Sequence, residues 1–135
     1  MSANGYKTDR TTLRLPFAAS SVSVARLRLQ QWLRDTGAAR EAVEDARVGV
    51  SELVANSVRH ARPLADGTIH VTWGHSRGGV DVAVTDGGSS SQARNVRAPA
   101  SALAGRGMAI IEALAHEWWT DVGESRSTVH ALLKL

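Results

Sequence analysis

The hydrophobic positions of this chain follow two periods, one typical of helices and one typical of strands. Between residues 39 and 61, apolar side chains recur every three to four positions, which predicts a long amphipathic helix that ends before Pro63. Residues 20–36 also show a helical period, with Ser20 or Ser21 as the predicted cap. The side chains expected on the inner side of this first helix are Val24, Leu27 and Trp32.

Strands are predicted where apolar and polar residues alternate. Thr11–Pro16 is typical of an edge strand closed by proline. Two further strands, joined as a hairpin, are predicted at residues 68–73 and 80–85. A third helix is predicted from Met108 to about His116. Residues 87–104 show no regular period, and so long a loop inside a small domain is usually functional or disordered. The chain closes with a predicted hairpin of residues 118–122 and 127–135.

The order of these elements decides the fold class. A strand is followed by two helices, two strands, a loop, a helix and two strands, without the βαβ alternation that a parallel sheet needs. We therefore predict an α+β fold, a two-layer sandwich of a mixed, mostly antiparallel sheet with three helices on one face. We expect residues 1–10 to form a flexible N-terminal tail and residues 11–135 a single domain, because 135 residues with 43% hydrophobic content suffice for one core.

Composition narrows the location and the class of partner. The chain has no cysteine, so neither disulfides nor a thiolate metal site can contribute, which suits a reducing cytoplasm. No secretory signal is seen and no apolar run approaches the roughly 20 residues that span a bilayer. The net charge of +3 carries no basic cluster, which argues against direct nucleic-acid binding. We expect a cytoplasmic protein without membrane contact, and a DNA-binding protein is only a third interpretation.

Three polar residues, Glu52, Asn56 and His60, are spaced by four inside the long helix. A four-residue step returns to nearly the same side of a helix, so they form one polar line beside the apolar stripe. A carboxylate one turn from a carboxamide can place a proton acceptor beside an oxygen ligand for Mg²⁺. Gly49 leaves room on this side for a ligand to approach closely. The alternative, that all these residues are merely solvated, remains open on this pattern alone.

Two further segments could contact a nucleotide. Asp86 ends a strand and is followed by Gly87 and Gly88, so its carboxylate could accept a hydrogen bond from the exocyclic amine of a base. By itself this pattern favours an ordinary Asp-Gly turn.

The second segment precedes the third helix, whose free N–H groups would favour phosphate. An arginine in the segment could add direct charge pairing. A single Gly-x-Gly is a weak signal, and this one is not a P-loop because no Gly-Lys-Ser/Thr follows. The segment consists of Gly105, Arg106, Gly107 and Met108.

Together, and in this order, the three segments resemble the N, G1 and G2 boxes of the GHKL (histidine-kinase-like, Bergerat-fold) ATPases. The likeness covers nearly the whole chain. The chain is also similar in size to the anti-sigma-factor serine kinases, a branch of that family. The resemblance implies that Glu52 is the general base, that Asn56 binds Mg²⁺ and that Asp86 reads the adenine amine. It also implies an ATP lid at about residues 89–104. The remaining residues implied to bind ATP are His60, Gly88, Gly105, Arg106, Gly107, Met108 and Thr128.

The function implied is that of an ATP-dependent serine kinase that is also an anti-sigma factor. Such a protein sequesters a sigma factor, transfers the γ-phosphate of Mg-ATP to a serine of a STAS-type anti-anti-sigma protein, and forms a homodimer. One departure from the family pattern is Ser90, where the last glycine of the G1 box usually stands. This departure supports an alternative, a catalytically silent module that senses ATP and binds a regulatory partner.

Overall fold

The computed structural model describes residues 10–88, 96–98 and 108–135, with backbone only for residues 96–98. It contains three helices and six strands in these ranges. In chain order they are β1 (Thr11–Pro16), α1 (Ser21–Asp35), α2 (Arg40–His60), β2 (Thr68–Ser76), β3 (Gly79–Asp86), β4 (Val96–Ala98), α3 (Ala109–Leu114), β5 (Ala115–Val122) and β6 (Ser127–Lys134).

The six strands form one sheet in the order β1-β2-β3-β6-β5-β4. Every strand pair in the described part of the chain is antiparallel, and the helices pack on one face, so the α+β prediction is confirmed. Within the described ranges we find no parallel pair, and the sheet is in this respect simpler than the mixed one predicted. Strands β3 and β6 lie side by side although they are distant in sequence, which brings Asp86 opposite Ser127.

The core lies between the sheet and helices α1 and α2. Side chains alternate across the sheet, so every second residue of a strand faces the helices. On β3 the buried core-facing residues are Val80, Val82 and Val84, and the same series ends at Asp86. Helix α2 covers this face with the predicted apolar stripe. The stripe residues fully or largely buried there are Val43, Ala46, Val50, Leu53 and Val54.

Helix α1 is rotated relative to the prediction. Val24 is 44% exposed and Leu27 60% exposed, whereas Ala25, Leu29 and Leu33 are fully buried against α2 and the sheet. The sequence of α1 offers two apolar faces, and packing against α2 selects one of them.

The predicted serine cap of α1 is also wrong in its detail. Ser20 makes no side-chain capping bond, and the hydroxyl of Ser21 instead donates to the carbonyl of Pro16 at 2.6 Å. The serine side chain therefore fastens the start of the helix to the end of β1.

Helix α3 is shorter than predicted, because Ala115 and His116 already belong to β5, which has a β-bulge between Ala115 and Glu117. Gly49 has different surroundings from those predicted. A Cβ on Gly49 would lie 3.4 Å from the Leu133 side chain of β6, an ordinary van der Waals distance, so this position faces the sheet.

Several predictions fall partly or wholly outside the described residues. The N-terminal tail does so for residues 1–9, and the lid does so except for residues 96–98. Those three residues form β4 against β5, a strand that the sequence pattern did not predict. In the described ranges, the helices lack the combination of length and hydropathy that crossing a bilayer requires.

Candidate functional site

Helix α2 carries the first three predicted site residues, and they have different surroundings. Glu52 is half-buried in a groove of about 270 Å³ between α1 and α2, which Arg26 and Arg47 also line. Asn56 is only 6% exposed, one turn further along. His60 is the last helical residue and is exposed. The predicted polar line thus runs from an open groove, through a buried amide, to the exposed end of the helix.

The amide of Asn56 joins α2 to the residue before α3. Its Nδ2 donates to the sulfur of Met108 at 2.8 Å, and Met108 is 3% exposed. A thioether accepts hydrogen bonds but cannot donate them, so this contact directs the NH₂ group to Met108 and leaves the amide oxygen for another partner. Among the described residues, no donor reaches Asn56 Oδ1, although that atom is buried.

This amide oxygen fits the Mg²⁺ that the fold family implies. A buried acceptor without a partner costs roughly 1–3 kcal/mol, so a ligand or water at this oxygen would stabilise the arrangement. Mg²⁺ prefers oxygen ligands and takes several from water and substrate phosphates. The described residues contain no group of three or more His, Cys, Asp or Glu placed to hold a metal ion.

Asp86, at the end of β3, is held from two sides. Its Oδ2 accepts a hydrogen bond of 2.6 Å from the hydroxyl of Ser57, and its Oδ1 accepts one of 2.8 Å from the backbone N–H of Gly88. Asp86 and Ser57 are each 4% exposed. The contact connects the end of β3 to the residue directly after Asn56.

The turn after Asp86 is fastened to the chain that follows α2. Gly87 N–H donates to Arg62 O at 2.7 Å, and Arg62 N–H donates to Gly88 O at 3.1 Å. A Cβ on Gly87 would lie 2.2 Å from the carbonyl oxygen of Pro63, so only glycine allows this approach. Gly88 has a φ of 81°, which glycine adopts without strain. Gly87 is therefore required by the close packing of this turn against the backbone after α2, and Gly88 by its positive φ.

On the last strand, the residue nearest to Asp86 is not the one singled out from the sequence. Ser127 pairs with Asp86 across β3 and β6, is 3% exposed and shares the core-facing side of the sheet. Thr128 faces the opposite side, where its hydroxyl is 2.7 Å from that of Thr85. The geometry favours Ser127 as the neighbour of Asp86, and the contact of Thr128 with adenine stays a prediction.

The structure therefore brings together Asn56, Asp86 and Met108, through the Asn56–Met108 and Ser57–Asp86 contacts. Gly105, Arg106 and Gly107 lie outside the described residues, so their contacts with phosphate stay predictions.

Sequence reasoning missed Ser57, although a signal for it was present. Ser57 lies four residues after Leu53 and three after Val54, so it continues the core-facing stripe of α2 with a hydroxyl. A polar residue at a stripe position needs a buried partner.

The chain is similar to proteins of one family. Residues 15–131 match the family model described as the histidine kinase-like ATPase domain. The chain is 39% identical over 83 residues to the serine-protein kinase RsbW of Listeria innocua serovar 6a, covering 61% of this chain and 53% of that protein. It is 33% identical over 86 residues to the serine-protein kinase RsbW of Staphylococcus aureus strain bovine RF122, covering 62% and 54%. The chain thus spans about half the length of these curated relatives.

A solved structure is similar in fold. It is the crystal structure of the RsbU and RsbW domains of Rv1364c from Mycobacterium tuberculosis, with a TM-score of 0.72 and 24% sequence identity. The match covers 93% of this chain and 32% of that one. At this level of identity the likeness supports the arrangement of helices and strands described above.

Proposed function

Because the chain belongs to the histidine kinase-like ATPase domain family, we propose that it binds Mg-ATP and transfers the γ-phosphate to a serine of a STAS-type anti-anti-sigma protein. In the same proposal it sequesters a sigma factor, acts in the cytoplasm and forms a homodimer. The observation that carries the nucleotide site is the buried oxygen of Asn56, which has no donor among the described residues. The names of the two RsbW relatives support the choice of serine as the phosphate acceptor.

The residues of the site divide the work of holding the nucleotide. Asn56 offers its amide oxygen to Mg²⁺, which when bound supplies positive charge at the phosphates. Asp86 accepts a hydrogen bond from the adenine amine. Met108 holds the Asn56 amide in the orientation that points its oxygen away from the sulfur. Positioning and charge neutralisation account for most of the catalysis in phosphoryl transfer, so a fixed amide is useful here.

Glu52 is the proposed general base. It lies in the groove between α1 and α2, where a hydroxyl from another protein can approach. In the transfer step the acceptor serine gives its proton to the Glu52 carboxylate. The serine oxygen bonds to the γ-phosphorus as the bond from that phosphorus to the bridging oxygen breaks, and ADP leaves.

The test is transfer of labelled γ-phosphate from ATP to candidate STAS proteins, with Glu52→Gln compared with wild type. Loss of a general base lowers the rate by about 10²–10⁴-fold, and we expect nucleotide affinity to be retained. The matched control is Glu44→Gln, the same chemical change two turns earlier on α2, where the carboxylate pairs with Arg47 at 2.9 Å. Undiminished transfer by Glu52→Gln would exclude the role assigned to Glu52.

A second candidate function is an ATP-sensing module that binds a partner without transferring phosphate. The residue that supports it is Ser90, which replaces the last glycine of the G1 box. Wild-type protein that binds Mg-ATP tightly yet phosphorylates none of the STAS proteins encoded by its host would favour this function over the kinase.

A further inference from the structure

Ser57, which follows the proposed metal ligand Asn56, contacts Asp86, the residue proposed to bind adenine. On α2, successive residues differ by about 100° around the axis, so Asn56 and Ser57 point in different directions. Ser57 follows the core-facing stripe toward the sheet and meets the end of β3. There its hydroxyl donates to Asp86 Oδ2 at 2.6 Å.

The second oxygen of Asp86 is fixed by the backbone. Gly88 N–H donates to Oδ1 at 2.8 Å, and the hydrogen bonds between Arg62 and the two glycines hold that turn in place. Rotation of the carboxylate about its Cβ–Cγ bond would break both of these short hydrogen bonds. Of Ser57 and Gly88, Ser57 donates through its side chain, so a substitution at Ser57 removes its hydrogen bond directly.

We infer that Ser57 is a positioning residue that sets the purine preference of the site by holding the Asp86 carboxylate as a hydrogen-bond acceptor directed at the base. The inference rests on the proposed nucleotide site. A fixed carboxylate binds a base more tightly when the base presents an amine at this position, as adenine does. It penalises a base that presents a carbonyl oxygen there, as guanine does, because two acceptors face each other.

The inference predicts a change in the ratio of two affinities, which distinguishes it from a general structural role. The ligands are Mg-ATP and the Mg complex of purine riboside triphosphate, which lacks the 6-amino group, and binding is measured by calorimetry. Wild type should prefer ATP, and Ser57→Ala should lower this preference about tenfold, which equals about 1.4 kcal/mol. Ser57→Cys, a change of similar volume with a weak donor, should also lower the preference and covers the case in which Ser57→Ala does not fold.

The matched control is Ser21→Ala. Ser21 is 2% exposed and its hydroxyl also donates a bond of 2.6 Å, but to Pro16 O, away from Asp86. This variant should keep the wild-type ratio of affinities. If both Ser57 variants keep that ratio while losing affinity for both ligands equally, Ser57 has only a structural role and the inference fails. Failure of the proposed function is a different result, in which wild type itself binds neither nucleotide.

Discussion

The two faces of the β3–β6 strand pair carry polar groups of different kinds. On the face covered by helices, Asp86 is buried and contacts Ser57 at 2.6 Å, and Asn56 nearby keeps a buried oxygen without a donor among the described residues. On the opposite face, His130 lies between Asp81 and Asp121, with 3.3 Å from each of its ring nitrogens to a carboxylate oxygen. We call this the open face because the described helices pack on the other side; the side chain of Asp121 is 54% exposed there, whereas those of His130 and Asp81 are 18% and 14% exposed.

The polar row on the open face crosses most of the sheet. Arg10 reaches Asp81 at 3.5 Å by passing over Gly74, where a side chain would collide with it. His130 also stacks on Trp119, with ring centroids 4.7 Å apart and planes inclined by 7°. These contacts connect the residue before β1 with β3, β6 and β5.

The difference between the two faces shows where a polar residue can determine ligand binding and where it mainly contributes to stability. Ion pairs with at least one partner in contact with water, such as those of Arg10 and Asp121, contribute little because water competes for that partner, whereas a fully buried group that loses its partner has no replacement. We therefore expect changes on the helix-covered face to alter ligand binding, and changes on the open face to alter stability modestly.

The largest effect is expected for Asn56→Ala. Removal of a direct metal ligand should lower the affinity for Mg-ATP by about 100-fold, at the upper end of what loss of a supporting group costs. The free energy of unfolding should fall by about 1 kcal/mol, because the substitution also removes the buried hydrogen bond from Asn56 Nδ2 to the sulfur of Met108. Calorimetry with and without EDTA checks this: chelation should weaken wild type strongly and the variant little. Equal affinity of the two proteins for Mg-ATP would contradict the assignment.

Gly87→Ala tests the close approach behind Asp86. The new methyl group would lie 2.2 Å from Pro63 O, and overpacking of this kind typically costs 1–3 kcal/mol of unfolding free energy. Chemical denaturation measures the loss. The control is Gly49→Ala, whose Cβ would lie 3.4 Å from a flexible leucine and which removes a mid-helix glycine, so stability should be kept or raised by up to about 1 kcal/mol. Equal behaviour of the two variants would show that the turn relaxes freely.

His130→Gln should have a smaller effect. It removes the ring stacked on Trp119 and the imidazole between the two carboxylates, and we expect a loss of about 1 kcal/mol. Nucleotide affinity should be unchanged, since the side chain lies on the open face of the sheet. Urea unfolding and calorimetry together decide this. A change in nucleotide affinity would show that the two faces are coupled.

The smallest effect concerns Asp66 near β1. Its hydrogen bond from the Thr68 side chain, followed by that from Arg14, lowers the pKa of Asp66 from 3.8 to about 2. A carboxyl with a lower pKa in the folded state stabilises the protein above pH 3.8, and that stability is lost as pH falls toward 2. The difference in melting temperature between wild type and Asp66→Asn should therefore shrink between pH 4 and pH 2. A constant difference would contradict this explanation.

Much of the architecture could be predicted from the sequence. The α+β class followed from the order of periodic segments. The polar line of α2 followed from the regular spacing of its residues. Adjacent strand residues face opposite sides, so Trp118 is buried on the core side of β5 while Trp119 stacks on His130 on the open face. Helix α1 was predicted to exist, and Trp32 packs against the core as predicted. Val24 and Leu27 were wrongly placed inside, because local periodicity could not choose between two apolar sides.

For the site, the sequence predicted which residues lie on α2 but not which residues of other elements they contact. The spacing of Glu52, Asn56 and His60 on one helix was enough to place them in order along α2. The sequence could not reveal that Ser57 meets Asp86, because 29 residues separate them and the contact depends on how α2 crosses β3. The choice of Ser127 over Thr128 beside Asp86 likewise required the register between β3 and β6.

By itself, the sequence determined the helices, the strands and the chemistry that each could offer, because these follow from short periods and local residue types. The tertiary structure decided which polar groups share a surface, because strand register and helix rotation are set by packing between distant segments. For this protein, that packing places a buried amide, a serine and an aspartate around one end of α2.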